Sequence, residues 1–166
     1  MIETDTSLEL VFADESQTQA FAVRLAKALA EHADDVARSG FNLRLTGDLG
    51  AGKTTLTRAL LRALGVGGRV RSPTFELVEE YDVLDGLSFY HFDFYRFESP
   101  CEFEDAGFRA LFGAGRITVC EWSERAGAYL PAADLEITLT VEGLARRARI
   151  AAAGRLGEYI ASEVFA

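Results

Sequence analysis

The segment GDLGAGKTT at residues 47–55 constrains the fold of this chain more than any other feature. Residues 47–54 match the pattern GxxxxGK[ST], with Gly47, Gly52, Lys53 and Thr54 at the defining positions. Glycines in such a loop let backbone N–H groups turn toward a phosphate, and the helix that follows directs its positive N-terminal end at the same charge. An apolar strand predicted before the loop and an amphipathic helix predicted after it supply the context that the pattern requires.

The residues of this loop are expected to share the binding of ATP and Mg²⁺. Lys53 supplies a mobile cation to the β and γ phosphates, the Thr54 hydroxyl is a Mg²⁺ ligand, and Thr55 reaches an α-phosphate oxygen. The remaining loop positions surround the phosphates mainly with their backbone, and they are Gly47, Asp48, Leu49, Gly50, Ala51 and Gly52.

Two carboxylates that follow predicted strands are candidates for the metal and for hydrolysis. Asp93 follows a strand at 87–92, and Glu121 follows a strand at 117–120. A phosphate loop of this type works with an acid at the end of a neighbouring strand, although strand-end carboxylates also serve as caps or surface charges. The two can act together, one on the metal and one on the attacking water, and the sequence leaves that division open.

Four further residues near these motifs are weaker candidates. Thr74, in the segment SPTF at 72–75, is either part of a switch that reports the γ-phosphate or part of a proline turn that enters a strand. Trp122 is either a neighbour of the nucleotide or an anchor in the core or an interface. His91 is expected to be structural, and Arg96 is either an ion-pair partner or a cation near the phosphates.

The order of predicted elements indicates an α/β fold. Hairpin turns are expected at 85–86 and 142–143, where Asp-Gly and Glu-Gly occur. Strands are predicted at 7–13, 41–46, 76–81, 87–94, 116–120, 135–141 and 146–152. A first helix is predicted to begin after a cap at Asp14 or Ser16, and further helices are predicted at 54–64, 99–112 and 156–164. A polar loop is predicted at 34–40. These elements predict a three-layer P-loop NTPase-like fold with a mixed parallel/antiparallel central sheet in one domain, 1–166.

Composition limits the kind of partner and the compartment. The net charge of −9 makes direct binding of nucleic acid unfavourable, because Lys and Arg contacts to phosphate supply most of that affinity. The sequence has no apolar run long enough for a membrane span and no signal-peptide pattern, so a cytoplasmic location is expected. Two cysteines without a CxxC pair and two histidines do not predict a structural zinc site.

Four segments together resemble the TsaE (YjeE) family, the small ATPase of bacterial tRNA threonylcarbamoyladenosine synthesis. They are GDLGAGKTT (47–55), SPTF (72–75), HFDFYR (91–96) and EW (121–122). The resemblance covers most of the chain, from the first helix to the second hairpin. It implies a weak, Mg²⁺-dependent ATPase that joins a TsaB–TsaD pair, in which TsaD transfers a threonylcarbamoyl group to an adenosine beside the tRNA anticodon. Contact with tRNA would then be indirect, through the complex.

The same resemblance implies roles for individual residues. Lys53 would bind phosphate, Thr54 and Glu121 would contact Mg²⁺, and Asp93 would be the acid of a Walker B-like segment that hydrolysis needs. Thr74 would lie in a switch-like loop and Trp122 beside the active site, while Thr18 is the candidate for the adenine end.

Three other functions remain open on the residues alone. A small-molecule kinase uses the same loop, but such enzymes carry an arginine-rich lid, and the stretch after Phe97 offers no obvious one. A GTPase needs an Asn-Lys-x-Asp segment, and the chain has no lysine besides Lys27 and Lys53 to build it. A nucleotide-gated interaction protein, in which hydrolysis is incidental, differs from the main hypothesis only in emphasis.

Overall fold

One seven-stranded sheet organises the protein in a computed structural model that describes residues 7–68, 70 and 77–165. The strands are β1 (Ser7–Phe12), β2 (Phe41–Thr46), β3 (Val78–Val83), β4 (Leu87–Asp93), β5 (Arg116–Glu121), β6 (Leu135–Glu142) and β7 (Ala145–Ala152). The helices are α1 (Glu15–Glu31), α2 (Ala33–Ser39), α3 (Lys53–Ala63), α4 (Glu102–Asp105) and α5 (Gly154–Val164). The order of strands across the sheet is β1-β7-β6-β2-β5-β4-β3.

The sheet is parallel in its centre and antiparallel at both sides. β2 lies between β6 and β5 and is parallel to both, and β5 is also parallel to β4. The hairpins β3–β4 and β6–β7 and the pair β1–β7 are antiparallel. This arrangement confirms the predicted mixed sheet and both predicted hairpins, and it places the strand before the glycine-rich loop in the middle of the molecule.

The two faces of the sheet pack against layers of different construction. On one face, the apolar sides of α1, α3 and α5 cover the side chains of the central strands. The stripe predicted for α1 is buried there, with Phe21, Leu25 and Leu29 all inaccessible. The other face carries an aromatic cluster from β4 and from the chain between β4 and β6: Tyr90, Phe92, Phe94, Phe97 and Phe103, with Cys120, Ala126 and Leu130. The three layers agree with the predicted fold class.

The cap of α1 can now be assigned to one of its two candidates. Asp14 is the N-cap residue, and its Oδ1 accepts a hydrogen bond of 3.1 Å from the Gln17 N–H. The Ser16 hydroxyl donates to the same carboxylate instead of capping the helix itself.

The predicted polar loop at 34–40 is wrong, because this stretch forms α2 (Ala33–Ser39). Asp34 and Asp35 lie in its first turn and Arg38 in its last, where each charge complements the helix dipole. Val36 is fully buried beneath the helix. A single buried apolar residue was too weak a periodic signal to indicate a helix this short.

The predicted helix at 99–112 is also wrong as one element. The chain forms only the single turn α4 and then a 3₁₀ turn, Phe108–Leu111. Gly107, at φ 73°, separates the two in a left-handed conformation that ends the first turn. Phe103 is fully buried and Phe108 partly buried against the same aromatic cluster, so packing rather than helix propensity sets the path.

Other element boundaries agree with the predictions to within a few residues. Residue 76, the predicted first residue of β3, lies outside the described part of the chain. Within that part, no helix is long and apolar enough to cross a membrane.

Candidate nucleotide-binding site

Three of the predicted site segments leave the sheet at one edge. β2, β5 and β4 are neighbours and parallel, so the loop after Thr46, the carboxylate of Glu121 and the carboxylate of Asp93 all lie at the carboxyl ends of adjacent strands. Asp93 is directly opposite Glu121 in the register of β4 and β5. In open α/β sheets ligands bind outside the carboxyl ends of the strands, so this edge is the expected place for a site.

Gly47 and Gly52 allow the glycine-rich loop to follow its path between β2 and α3. At Gly47, φ is 153°, and a Cβ atom there would lie 2.6 Å from the carbonyl oxygen of Leu139 and 3.0 Å from Cβ of Ala51. Gly52 is left-handed, with φ 106°, and is the N-cap residue of α3. Within the loop, the Asp48 carbonyl accepts the Ala51 N–H at 3.0 Å. The loop is therefore tightly turned between β2 and α3.

Lys53 is nearly buried, at 5% exposure, and is held by uncharged groups. Its Nζ donates to the carbonyl oxygen of Gly47 at 2.5 Å and lies 3.8 Å from the centroid of the Trp122 ring. None of the ion pairs among the described residues includes Lys53. The structure thus fixes a positive charge at the start of α3 without neutralising it by a carboxylate.

A cavity of ≈ 220 Å³ brings the predicted phosphate and metal residues together. Its lining consists of Leu49, Gly50, Gly52, Lys53, Thr54, Thr55, Asp93, Glu121 and Trp122. The Thr54 hydroxyl and the two carboxylates are hard oxygen donors, which suit Mg²⁺. Among the described residues no group of three or more His, Cys, Asp or Glu side chains can hold a metal, so Mg²⁺ here would complete its coordination with phosphate and water oxygens.

A second cavity, of ≈ 270 Å³, lies on the other side of the loop. It shares Gly50, Gly52 and Thr55 with the first cavity, and Thr18, which is buried on α1, lines it as well. Its other lining residues are Phe12, Asp14, Glu15, Ala51, Leu139, Leu144 and Arg146. A long ligand that crosses the loop would therefore contact both cavities.

The two strand-end carboxylates differ in their surroundings. Asp93 is half-buried, and its Oδ1 accepts the Tyr95 N–H at 3.0 Å. Burial raises the pKa of Asp93 above its ordinary value, and the nearby charge of Glu121 adds to that rise, while the Tyr95 N–H and the positive charge of Lys53 oppose it. Glu121 is only 3% exposed, and its Oε2 lies 2.5 Å from Nε2 of His91.

Two residues outside the predicted set of site residues, Tyr95 and Arg146, border the site. The Tyr95 ring packs on Trp122 with centroids 4.9 Å apart. Arg146 lines the second cavity, and its Nη2 lies 3.4 Å from the carbonyl oxygen of Gly50. The HFDFYR motif contains Tyr95 and was the available signal for it, whereas Arg146 reaches the loop only through the register of the β6–β7 hairpin.

Not all predicted residues can be placed. Thr74 and the rest of the SPTF segment lie outside the described residues. Arg96 is described and has an interaction partner, but it is not among the residues that line either cavity around the loop.

A glycine-rich loop between a central parallel strand and a helix, at the carboxyl edge of the sheet, defines the P-loop class of nucleotide-binding folds. A family model described as "Threonylcarbamoyl adenosine biosynthesis protein TsaE" matches residues 12–149. The chain belongs to the TsaE family, as its four motif segments predicted.

Individual relatives support the same assignment. The chain is 46% identical over 118 residues to the tRNA threonylcarbamoyladenosine biosynthesis protein TsaE of Haemophilus influenzae, an alignment that covers 71% of this chain and 74% of that protein. It is 40% identical over 118 residues to the TsaE protein of Bacillus subtilis, covering 70% and 72% of the two chains. The crystal structure of Bacillus subtilis YdiB superposes with a TM-score of 0.70 at 28% identity, covering 96% of this chain and 95% of that one.

Proposed function

We propose that this protein binds ATP with Mg²⁺ and is a weak ATPase that serves tRNA threonylcarbamoyladenosine biosynthesis in the cytoplasm. The observation that carries the proposal is the pair of cavities on either side of the loop, which share Gly50, Gly52 and Thr55. One contains the buried cation Lys53 with Asp93 and Glu121, and the other combines the apolar side chains of Phe12, Leu139 and Leu144 with polar and charged groups. This division suits a nucleotide, with its charged phosphates on one side and its base on the other.

The phosphates would lie in the cavity that Lys53 lines. The first residues of α3, Lys53, Thr54 and Thr55, line this cavity, and the helix dipole favours negative charge at that end of the helix. Lys53 would exchange its bond to the neutral Gly47 carbonyl for a bond to phosphate in which both groups are charged. Thr55 lines both cavities, as expected of a residue beside the α-phosphate.

Thr54, Glu121 and Asp93 would hold the metal and the attacking water. Mg²⁺ held by these residues would supply positive charge against the negative charge that develops on the phosphates. Glu121, which is buried at the end of β5, suits the role of a metal partner, directly or through water. Asp93 is more accessible and suits the orientation of water for attack on the γ-phosphate.

The base and sugar would occupy the second cavity. Thr18 offers a hydroxyl and Phe12 an apolar surface, while Leu144 at the tip of the β6–β7 hairpin is almost fully exposed beside them. A base that stacks here would cover Leu144, which has no other apolar cover in the described structure. Arg146, next to the loop, would reach the sugar or the α-phosphate.

The place in tRNA modification comes from the TsaE family. Its members carry the name tRNA threonylcarbamoyladenosine biosynthesis protein, and we extend that role to this chain. We further propose that the chain works with TsaB- and TsaD-like partners, because its net charge of −9 disfavours a direct grip on tRNA. Hydrolysis of ATP would then depend on contact with these partner proteins.

The test is ATP turnover by the purified protein, alone and with a TsaB–TsaD pair, with GTP as the control nucleotide. Slow hydrolysis alone and clear stimulation by the pair are expected. Brisk hydrolysis or phosphotransfer without partners would instead support an independent P-loop enzyme such as a small-molecule kinase, and a preference for GTP would contradict the assignment to ATP. Nucleotide-dependent binding of the pair without stimulated hydrolysis would indicate a nucleotide-gated interaction protein.

A further inference from the structure

A buried histidine lies behind the site, and the proposed chemistry does not use it. His91, in β4, is 1% exposed, and its Nε2 is 2.5 Å from Oε2 of Glu121 at the end of β5. His91 is opposite Val119 in the parallel register, and Glu121 is opposite Asp93. Residues two apart in a strand point to the same face, so the histidine and both carboxylates share one face of the sheet, with His91 one step further from the edge.

Apolar side chains pack beside His91 on the inner side of this contact. Phe89 and Val119, on the same sheet face, are fully buried, and both belong to the core beneath α1, α3 and α5. Nδ1 of His91 is buried without a hydrogen-bond partner among the described residues. The one polar contact of the ring therefore goes to Glu121, and Nε2 is the nitrogen that donates to the carboxylate.

The buried pair of His91 and Glu121 is not expected to add much to the stability of the fold. Burying a carboxylate and an imidazole costs desolvation free energy, and apolar side chains of similar volume often serve stability as well or better. The bond to His91 does restrict the orientation of the Glu121 carboxylate, because a glutamate side chain otherwise rotates about three torsions. Partners that orient a metal-binding group in this way commonly affect metal affinity or activity by about 10- to 100-fold.

We propose that His91 is a positioning residue that holds the Glu121 carboxylate in the orientation that Mg²⁺ binding requires. The proposal rests on the proposed role of Glu121 at the metal. His91 acts only through Glu121, since it does not line the cavity beside the loop. A purely structural histidine would instead affect unfolding without affecting the Mg²⁺ requirement.

The experiment measures how ATP affinity depends on Mg²⁺, using Trp122 fluorescence, with Mn²⁺ binding followed by electron paramagnetic resonance as a second readout. His91→Phe removes the donor, His91→Asn keeps an amide that is too short to reach, and His91→Gln places an amide nitrogen near the position of Nε2. Tyr90→Phe is the matched control, because Tyr90 neighbours His91 in β4 but belongs to the cluster on the opposite face. Thermal unfolding of each variant is recorded alongside.

We expect His91→Phe and His91→Asn to raise by about 10-fold or more the Mg²⁺ concentration that gives half of the maximal increase in ATP affinity. In EDTA, without free Mg²⁺, the ATP affinity of both variants should stay within about twofold of the parent. His91→Gln should restore most of the Mg²⁺ response, and Tyr90→Phe should leave it unchanged. A Mg²⁺ requirement that stays at the parent value in the Phe and Asn variants would overturn the proposal. If the Phe variant does not fold, the contrast between Asn and Gln decides, and equal shifts in those two would also overturn it.

Glu121→Gln separates this proposal from the proposed function. If that variant keeps the parent Mg²⁺ requirement, the metal role of Glu121 is wrong, and the positioning role falls with it. If Glu121→Gln shifts the requirement, the double variant with His91→Phe should shift it no further, because His91 acts through Glu121. Fully additive shifts would overturn the positioning role while leaving the role of Glu121 intact.

Discussion

Trp122 has a backbone conformation that few residues other than glycine adopt. Its φ of 57° lies in the left-handed region, directly after the buried Glu121. The turn directs the indole ring to Lys53 on one side and Tyr95 on the other. Strained residues of this kind cluster at functional sites, and here the strain places an aromatic face against the cation of the loop.

A residue-scale prediction separates binding from hydrolysis at the two carboxylates. Glu121→Ala and Asp93→Asn should each lower Mg²⁺-dependent ATP turnover by about 100-fold or more, since each removes a carboxylate from the metal or the water. ATP affinity should fall much less, because the loop and Lys53 remain. Phosphate release measures turnover, and Trp122 fluorescence measures affinity. A variant with the parent turnover would show that its carboxylate lies outside the reaction.

The loop between β2 and α3 illustrates what elements contribute beyond their own residues. Gly47 is held against the Leu139 carbonyl of β6, whereas Gly50, at φ 80°, has no heavy atom within 4 Å of an added Cβ. The two glycines thus serve different needs, close packing in one case and left-handed geometry in the other.

These environments predict different costs of substitution. Gly47→Ala should lower the free energy of unfolding by about 1–3 kcal/mol beyond any backbone strain, because the methyl group meets backbone that is fixed by β6. Gly50→Ala should cost only the left-handed strain, about 1 kcal/mol. Urea unfolding of both variants makes the comparison, and a smaller loss for Gly47→Ala would contradict the close contact with β6.

The packing of α1 against α5 predicts a pH effect. His32, which ends α1, contacts Glu163 of α5 at 2.7 Å and Asp35 at 3.4 Å. The hydrogen bond to Glu163 raises the pKa of His32 above 6.5, and Asp35 adds to the rise, while burial opposes it. A raised pKa means that the folded state binds the proton more tightly, so this contribution to stability is full below about pH 6.5 and is lost as pH rises through the folded pKa.

The parent protein should therefore lose stability relative to His32→Gln as the pH rises above about 6.5. Urea unfolding at several pH values gives both curves, and taking their difference removes the contributions of groups that are present in both proteins. Glu163→Gln is the matched variant and should remove most of the same difference. Parallel curves for the parent and His32→Gln would show that the pair does not couple α1 to α5.

At the scale of the whole molecule, the sequence predicted the fold class, the mixed sheet and both hairpins. Those features depend on local signals, namely alternation within strands, Asp-Gly and Glu-Gly turns, and the strand–loop–helix context of the glycine-rich loop. The errors at 34–40 and 99–112 arose where local signals were weak or misleading. In α2, Val36 is the one buried apolar residue. At 99–112, the left-handed Gly107 and the packing of aromatic side chains end the first helical turn.

The candidate site was predictable to the extent that it follows motifs. The loop, Asp93, Glu121, Trp122 and Thr18 were all singled out from the sequence, and the structure places them around two adjoining cavities. The bond between His91 and Glu121 was not, because it depends on the register of two strands that are distant in sequence. Side-chain partners across a sheet cannot be inferred from one strand alone.

Binding of ATP by the loop is the central claim, and the two lysines of the chain allow a direct test. Isothermal titration of ATP with Mg²⁺ compares the parent with Lys53→Ala and with Lys27→Ala, a control on the exposed side of α1. Loss of the loop cation should lower affinity by about 10- to 100-fold, as expected for a charge-assisted bond, and Lys27→Ala should bind as the parent does. Equal affinity in Lys53→Ala and the parent would contradict the assignment of the loop as the ATP site.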